Sequence, residues 1–182
     1  QVLISAEDKE KFAELVKEQE AILKEELHAS DAGVALEITA KGAATVEVLD
    51  ATSKATAMHA LNNIPNGIQA YSMDIEGLVE TSLNMGIMSQ DGESLKMSFA
   101  VRSSIESAKY YLTDRVLLFV DMLGGNCEIK GDYPGWAYNP NSDLRETFIK
   151  VYREMYGEEP VVEAIHAGLE CGLFAKKIPG LD

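Results

Sequence analysis

Cysteine and positive charge are both scarce in this sequence. Its 182 residues include two cysteines, Cys127 and Cys171, whereas small disulfide-bonded scaffolds are dense in cysteine. A disulfide framework is therefore excluded as the basis of the fold, and a reducing, cytoplasmic setting is favoured. The 16 Lys and Arg residues are outnumbered by 30 Asp and Glu residues, giving a formal net charge of -14. Because this charge repels phosphate backbones and no basic stripe offsets it, nucleic acid is not an expected partner.

Long apolar runs are missing as well. No stretch approaches the ~20 apolar residues of a membrane span, and no charged region precedes an apolar one at the start, so a membrane is not an expected partner. The chain begins without an initiator Met, in the apolar run 1–5, and it stops at residue 182 without a closing structural element. These features predict a segment of a longer protein.

Hydrophobic residues make up 46% of the chain, enough for one good core or two modest ones. Apolar residues at helical spacing predict a long amphipathic helix over roughly 7–28. Alternation then predicts two short paired strands, 34–38 and 45–49. Ser53 is placed to cap a further helix that runs to about residue 62.

The strongest local pattern lies in the middle of the chain. Stretches 78–88 and 94–102 have strand character and are separated by a turn at residues 90–92. Ser103 or Ser104 then begins a helix that ends at Gly124. Strand, turn, strand and helix predict a two-layer α/β sandwich with a mainly antiparallel sheet. The apolar face of the second strand should pack on the apolar stripe of the helix; these residues are Leu95, Met97, Phe99, Val101, Leu112, Val116 and Phe119.

Beyond the sandwich, residues 127–130 could form one more strand, and the turn-rich stretch 131–136 suggests a domain boundary. Ser142 is expected to cap a helix that ends near Tyr156. The apolar run 161–165 suits a strand buried on both faces. The chain as a whole is therefore expected to be α+β: a sandwich, followed by a helix-strand-loop piece of an α/β domain.

Reactive side chains are densest just after this last predicted strand, a position that ligand sites in open α/β sheets favour. They are His166, Glu170 and Cys171. On a helix, His166 and Glu170 would share a face, as in half of a metal site, but a zinc site needs three or four ligands. A Cys171–His166 nucleophile pair is a second interpretation, with no orienting third residue in view. Alternatively, Cys171 is a small buried thiol and His166 a hydrogen-bonded structural imidazole.

Arg102 ends the second strand of the hairpin, on the face that also carries the small residues Ser98 and Ala100. Small neighbours leave room for a ligand, and a guanidinium can hold a carboxylate through two parallel hydrogen bonds. The alternative is a surface ion pair with one of the acidic residues.

Taken together, five stretches in this order resemble the aminoacyl-histidine (carnosine-type) dipeptidases, which belong to the larger group of two-zinc aminoacylases and carboxypeptidases. The stretches are residues 64–67, 79–86, 101–104, 130–136 and 165–174. The resemblance implies an inserted lid domain, with residues 1–131 forming its later part. Residues 132–182 would then return into the catalytic domain.

The resemblance also implies a function and a division of roles. The family hydrolyses dipeptides that end in histidine, such as carnosine, with two zinc ions. Its metal ligands and catalytic residues correspond to positions outside this chain, so no catalytic or metal-binding residue is expected here and the chain alone should be inactive. Arg102 would bind the substrate carboxylate, and His166, Gly168 and Glu170 would line the substrate pocket. A homodimer through the lid is possible. The alternative from another class is a non-catalytic binding or dimerisation module.

Overall fold

Three antiparallel strands organise most of the structure, which is a computed structural model that describes residues 2–165, 168 and 170–182. The chain divides into two units, residues 1–51 and residues 52–182. This division by contacts does not test the predicted lid boundary at residue 131, which stays a prediction. His166, a predicted pocket residue, lies outside the described residues.

The first unit contains one long helix. A 3-10 turn at Ala6–Asp8 leads into α1, Lys9–Glu26, close to the predicted range. The two strands expected at 34–38 and 45–49 are absent from this described stretch, so that prediction is wrong. The physical reason is a lack of burial. Val46 and Val48 are largely exposed, and an isolated two-stranded ribbon is only marginally stable without another layer to pack on.

The second unit contains nearly all of helix α2, Ala51–Asn63, in which Ser53 is the third residue and not at the predicted N-cap position. Strand β1, Gly67–Tyr71, follows and was not predicted. Strands β2, Val79–Asp91, and β3, Ser94–Ser103, form the expected hairpin. The sheet order is β1-β2-β3, antiparallel throughout, which confirms the α+β assignment.

One face of the sheet is covered by helix α3, Glu106–Met122. Leu83 is fully buried between the layers, and Leu112 and Val116 of the helix are nearly so. Of the β3 side chains predicted to pack there, Met97, Phe99 and Val101 do, whereas Leu95, next to the β2–β3 turn, is 41% exposed. A register shift between Met85 and Ile87 bends β2 at Gly86.

The last part of the chain is helical. Ser142 caps α4, Asp143–Tyr156, by accepting a hydrogen bond from the Arg145 N–H over 3.0 Å, as predicted. Gly157 ends the helix with φ +71°. Helix α5, Glu170–Lys177, begins at the last of the predicted pocket residues.

Two predicted strands in this region are wrong. Residues 127–130 and 161–165 are described and form no strand. Val161 is 82% exposed and Ile165 67% exposed, and none of the described strands pairs with either stretch. An apolar run forms a buried strand only where neighbouring strands satisfy its backbone groups. The apolar side chains of α4, among them Phe148 and Met155, are also exposed.

Candidate functional site

A groove of about 670 Å³ lies beside the end of β3 in the second unit. Its walls include the β3–α3 junction, the stretch 133–139, the first turns of α4, residues 162–165, Gly168 and α5. Much of the lining is apolar, including Ile105, Pro134, Trp136 and Phe174. Arg102 contributes a positive charge. An apolar groove with a few polar groups is the usual form of a small-molecule site.

Arg102 reaches the groove because of its position in the sheet. It lies opposite Ser82 of β2, on the face away from α3, and it is exposed. Ala100 and Ser98 precede it on the same face, as the strand pattern predicts. The backbone then turns into α3, where the Ser103 hydroxyl accepts a hydrogen bond from the Ile105 N–H over 3.1 Å. The side chain is thus carried by a paired strand that is fixed at its end.

The stretch 131–136 passes close to this strand end. A Cβ added at Gly135 would collide with the carbonyl group of Ser104 and come within 3.2 Å of the Ser103 carbonyl oxygen. Only glycine permits this approach of two backbones without a shift. Gly135 therefore seats the stretch directly against the residues that follow Arg102.

The same stretch contacts the predicted pocket loop on its other side. The Tyr133 ring lies so near Gly168 that a Cβ there would come within 2.6 Å of the phenol carbon and oxygen. A Cβ at Gly172, in α5, would meet the Pro134 carbonyl oxygen at 3.0 Å. Gly168 and Gly172 are thus contact points that need a small residue, in addition to any role of their backbone toward a ligand.

A buried lysine anchors this stretch to α3. Lys109 is 8% exposed, and its ammonium donates to the Asp132 carboxylate over 2.6 Å and to the Tyr133 carbonyl oxygen. The Tyr110 hydroxyl donates to the second oxygen of Asp132 over 3.3 Å. The hydrogen bond from Lys109 holds the pKa of the Asp132 carboxyl below its usual value.

A second ion pair joins α3 to α5. The Lys176 ammonium lies 3.0 Å from the Glu106 carboxylate, and this hydrogen bond lowers the pKa of Glu106. Both side chains are about half exposed, so the pair contributes little to stability in water. Its position nevertheless links the start of α3 to the helix that follows the Gly168 loop.

The predicted site residues are distributed as follows. Arg102 and Gly168 line the same groove, and so does Cys171. Glu170 is the exposed first residue of α5 and is not among the described residues that line the groove. Cys171 is exposed, so the expectation of a buried thiol is wrong. The Cys171–His166 pair depends on a residue outside the described part of the chain.

Sequence reasoning missed Lys109. Its signal was present, because residue 109 lies on the apolar stripe of α3, one turn after Ile105 and three residues before Leu112. A lysine at such a position must find a partner or cover apolar surface with its stem. The partner, Asp132, lies 23 residues further along the chain, and periodicity within one helix does not reveal it.

A metal site in a protein needs several donor side chains close together. In the described ranges 2–165, 168 and 170–182, no three His, Cys, Asp or Glu side chains are placed to hold a metal ion. These residues therefore do not by themselves fit a zinc centre. Among the helices of the same ranges, none is long and apolar enough to span a membrane.

Comparison with known proteins finds relatives that match nearly the whole of this chain. No family model matches the chain. The cytosol non-specific dipeptidase of Escherichia coli (strain K12) is 33% identical over 181 residues, which cover all of this chain and 37% of that protein. The crystal structure of aminoacylhistidine dipeptidase from Vibrio alginolyticus matches with a TM-score of 0.87 and 32% identity, over 95% of this chain and 35% of that one.

The chain thus spans little more than a third of the length of either relative. Agreement in sequence and in structure, over nearly the same residues, is much more specific than either alone. The three-stranded sheet, its covering helix and the groove beside Arg102 all fall within the matched residues. The chain corresponds, in sequence and in fold, to one segment of this group of dipeptidases.

Proposed function

We propose that this chain is part of a metal-dependent dipeptidase that hydrolyses Xaa-His dipeptides such as carnosine. Residues 1–131 form the later part of its lid domain, and residues 132–182 return into the catalytic domain. Two zinc ions are bound by residues outside this chain, which has no activity alone. The observation that carries the proposal is the convergence of Arg102 and Gly168 on one groove, in a chain related to two dipeptidases.

Arg102 binds the terminal carboxylate of the substrate in this proposal. A planar guanidinium with several N–H donors matches a carboxylate in two parallel hydrogen bonds, which fixes both distance and angle. Its position at the end of a paired strand limits backbone movement, and the groove beside it admits a ligand. His166 and Gly168 line the pocket that receives the rest of the dipeptide, Glu170 borders it at the start of α5, and Trp136 contributes to its apolar wall.

The residues of this chain therefore bind and orient, and the bond-breaking step belongs to the parts that supply the metal. A two-metal centre held by residues outside this chain would supply Lewis-acid polarisation and an activated water. Holding the carboxylate at one place keeps the scissile bond at one place, which contributes to rate through orientation.

We further propose that the protein is cytoplasmic and forms a homodimer through the lid.

The test is an assay of the full-length protein that carries this segment. Carnosine, a second Xaa-His dipeptide and a dipeptide without histidine are supplied to the protein as purified, after chelation, and after zinc is restored. Hydrolysis that is lost on chelation and recovered with zinc supports a metallo-dipeptidase. The isolated chain serves as the inactive control.

The three substrates also decide the breadth of specificity. The two relatives carry names of different breadth, one non-specific and one aminoacylhistidine. Preference for the two Xaa-His dipeptides supports the proposal as stated, and equal rates on all three would restrict it to a general dipeptidase. No hydrolysis of any dipeptide by the zinc-loaded protein would favour a binding or dimerisation module, which light scattering of the full-length protein would then examine.

A further inference from the structure

The stretch 132–136, here called the spacer, lies between the two groups proposed to contact the substrate. On one side Gly135 rests on the carbonyl groups of Ser103 and Ser104, next to Arg102. On the other side Tyr133 rests on Gly168. The spacer therefore contacts both the end of the strand that carries Arg102 and Gly168.

Lys109 holds the spacer in place. Lys109 is 8% exposed and lies on the same face of α3 as Leu112, 3% exposed, and Val116, 6% exposed. A buried ammonium is strongly unfavourable unless it is paired and hydrogen-bonded. Both hydrogen bonds recorded for it go to the spacer, to the Asp132 carboxylate and to the Tyr133 carbonyl. The spacer cannot leave α3 without leaving this charge unpaired.

The two bonds also fix the direction of the spacer. Asp132 is held from two sides, since its other oxygen accepts from the Tyr110 hydroxyl. The Tyr133 carbonyl is drawn to Lys109, while the ring of the same residue lies on Gly168. One residue thus connects the buried lysine with the pocket loop.

We propose that Lys109 is a positioning residue of this site. By anchoring the spacer, it sets the distance between Arg102 and Gly168. This distance determines the length of peptide that is accepted. This inference rests on the proposed dipeptidase function. It adds to that function a residue outside the groove and a physical basis for preferring dipeptides over longer peptides. Lys109 contacts no substrate in this arrangement and acts through Tyr133.

The experiment compares three variants of the full-length, zinc-loaded protein. Lys109→Met keeps the length of the side chain and removes the ammonium. Tyr133→Ala keeps the carbonyl that Lys109 binds and removes the ring that contacts Gly168. Lys96→Met is the matched control, because it removes an exposed lysine that is paired with Asp91 in the hairpin. For each protein, kcat and KM are measured on a dipeptide and on a tripeptide that ends in the same two residues.

For Lys109→Met and Tyr133→Ala, kcat/KM on the dipeptide should fall by about tenfold to a hundredfold, as expected when a reacting group is displaced by about 1 Å. Activity on the tripeptide should fall less, so that the ratio of dipeptide to tripeptide activity drops. Lys96→Met should leave both substrates and the ratio unchanged. Circular dichroism measures the folded fraction, to which all rates are normalised.

Equal losses on both substrates, or an unchanged ratio in the two variants, would overturn the inference and leave Lys109 as a structural ion pair. If Lys109→Met does not fold, the ratio for Tyr133→Ala decides the matter alone, because that side chain is 45% exposed and its loss removes little core. An inactive wild-type protein would instead reject the proposed function, a result distinct from an active protein with an unchanged ratio.

Discussion

The Ser142 hydroxyl donates a hydrogen bond to the Asp182 carboxylate over 2.9 Å while it accepts one from the Arg145 N–H over 3.0 Å. Asp182 also accepts from the Leu144 N–H over 2.7 Å. The first turn of α4 is therefore capped twice, by a side chain within its own sequence and by a carboxylate 40 residues later. Negative charge is favourable at this end of a helix.

The first prediction is that Asp182 makes stability sensitive to acid. Its pKa is lowered from 3.8, first by the hydrogen bond from the Leu144 N–H and then by that from Ser142. A carboxyl whose pKa is lower in the folded state stabilises the fold above its unfolded pKa, and this contribution is lost as pH falls through the folded value. Asp182→Asn should lower stability at pH 7 and make it less dependent on pH below about 4.

Thermal melts of wild type and Asp182→Asn between about pH 2.5 and pH 7 check this prediction, because carboxyl groups titrate within this range. Asp91→Asn is a suitable control, because Asp91 is two-thirds exposed in the hairpin and far along the chain from α4. Parallel pH profiles for wild type and Asp182→Asn would show that the carboxylate does not cap α4 in solution.

The second prediction concerns the core between the sheet and α3. Leu83 is fully buried, so Leu83→Ala should lower the free energy of unfolding by about 2 to 5 kcal/mol through lost burial and a residual cavity. Leu95→Ala, at a side chain 41% exposed, should change it by about 0.5 kcal/mol or less. Denaturant unfolding measures both. Similar losses for the two variants would contradict the difference in burial between Leu83 and Leu95.

The third prediction concerns Gly135. Alanine at this position should cost about 1 to 3 kcal/mol of stability, because its methyl group forces the spacer away from the Ser104 carbonyl. Gly86→Ala is the control, since the added carbon there would meet the Asn84 amide nitrogen at an ordinary 3.6 Å. Unfolding curves of the two variants give the comparison. A loss for Gly135→Ala no larger than that for Gly86→Ala would contradict the close contact.

The fourth prediction concerns Arg102 in the full-length protein. Arg102→Ala should lower kcat/KM on a free dipeptide by about tenfold to a hundredfold, since a hydrogen bond to a charged group contributes about 1.5 to 3 kcal/mol. Arg102→Lys should be intermediate, because it keeps the charge and loses the two-pronged geometry. Folding and metal content should not change.

A dipeptide with an amidated carboxyl end is the control substrate for this prediction. Wild type should already hydrolyse it poorly, and Arg102→Ala should do little further harm. Equal losses on the free acid and the amide, or a fall of several degrees in Tm, would identify Arg102 as a structural ion pair.

Local sequence determined the elements whose signal is contained in a few turns or one hairpin. Alternation of apolar residues along β3 and helical spacing along α3 predicted which faces meet, and Met97, Phe99 and Val101 do pack on the helix. Ser142 predicted the start of α4, and Gly157 its end. These signals are reliable because the period of side chains in a strand or a helix is fixed by backbone geometry.

Tertiary structure decided what depends on distant parts of the chain. The apolar run 161–165 has the composition of a buried strand, yet no described strand pairs with it and its side chains are exposed. Lys109 lies on an apolar stripe and is stable there only because Asp132 and the Tyr133 carbonyl come to it. Backbone pairing and charge compensation are satisfied by whichever groups the fold brings near, so spacing along one element cannot name them.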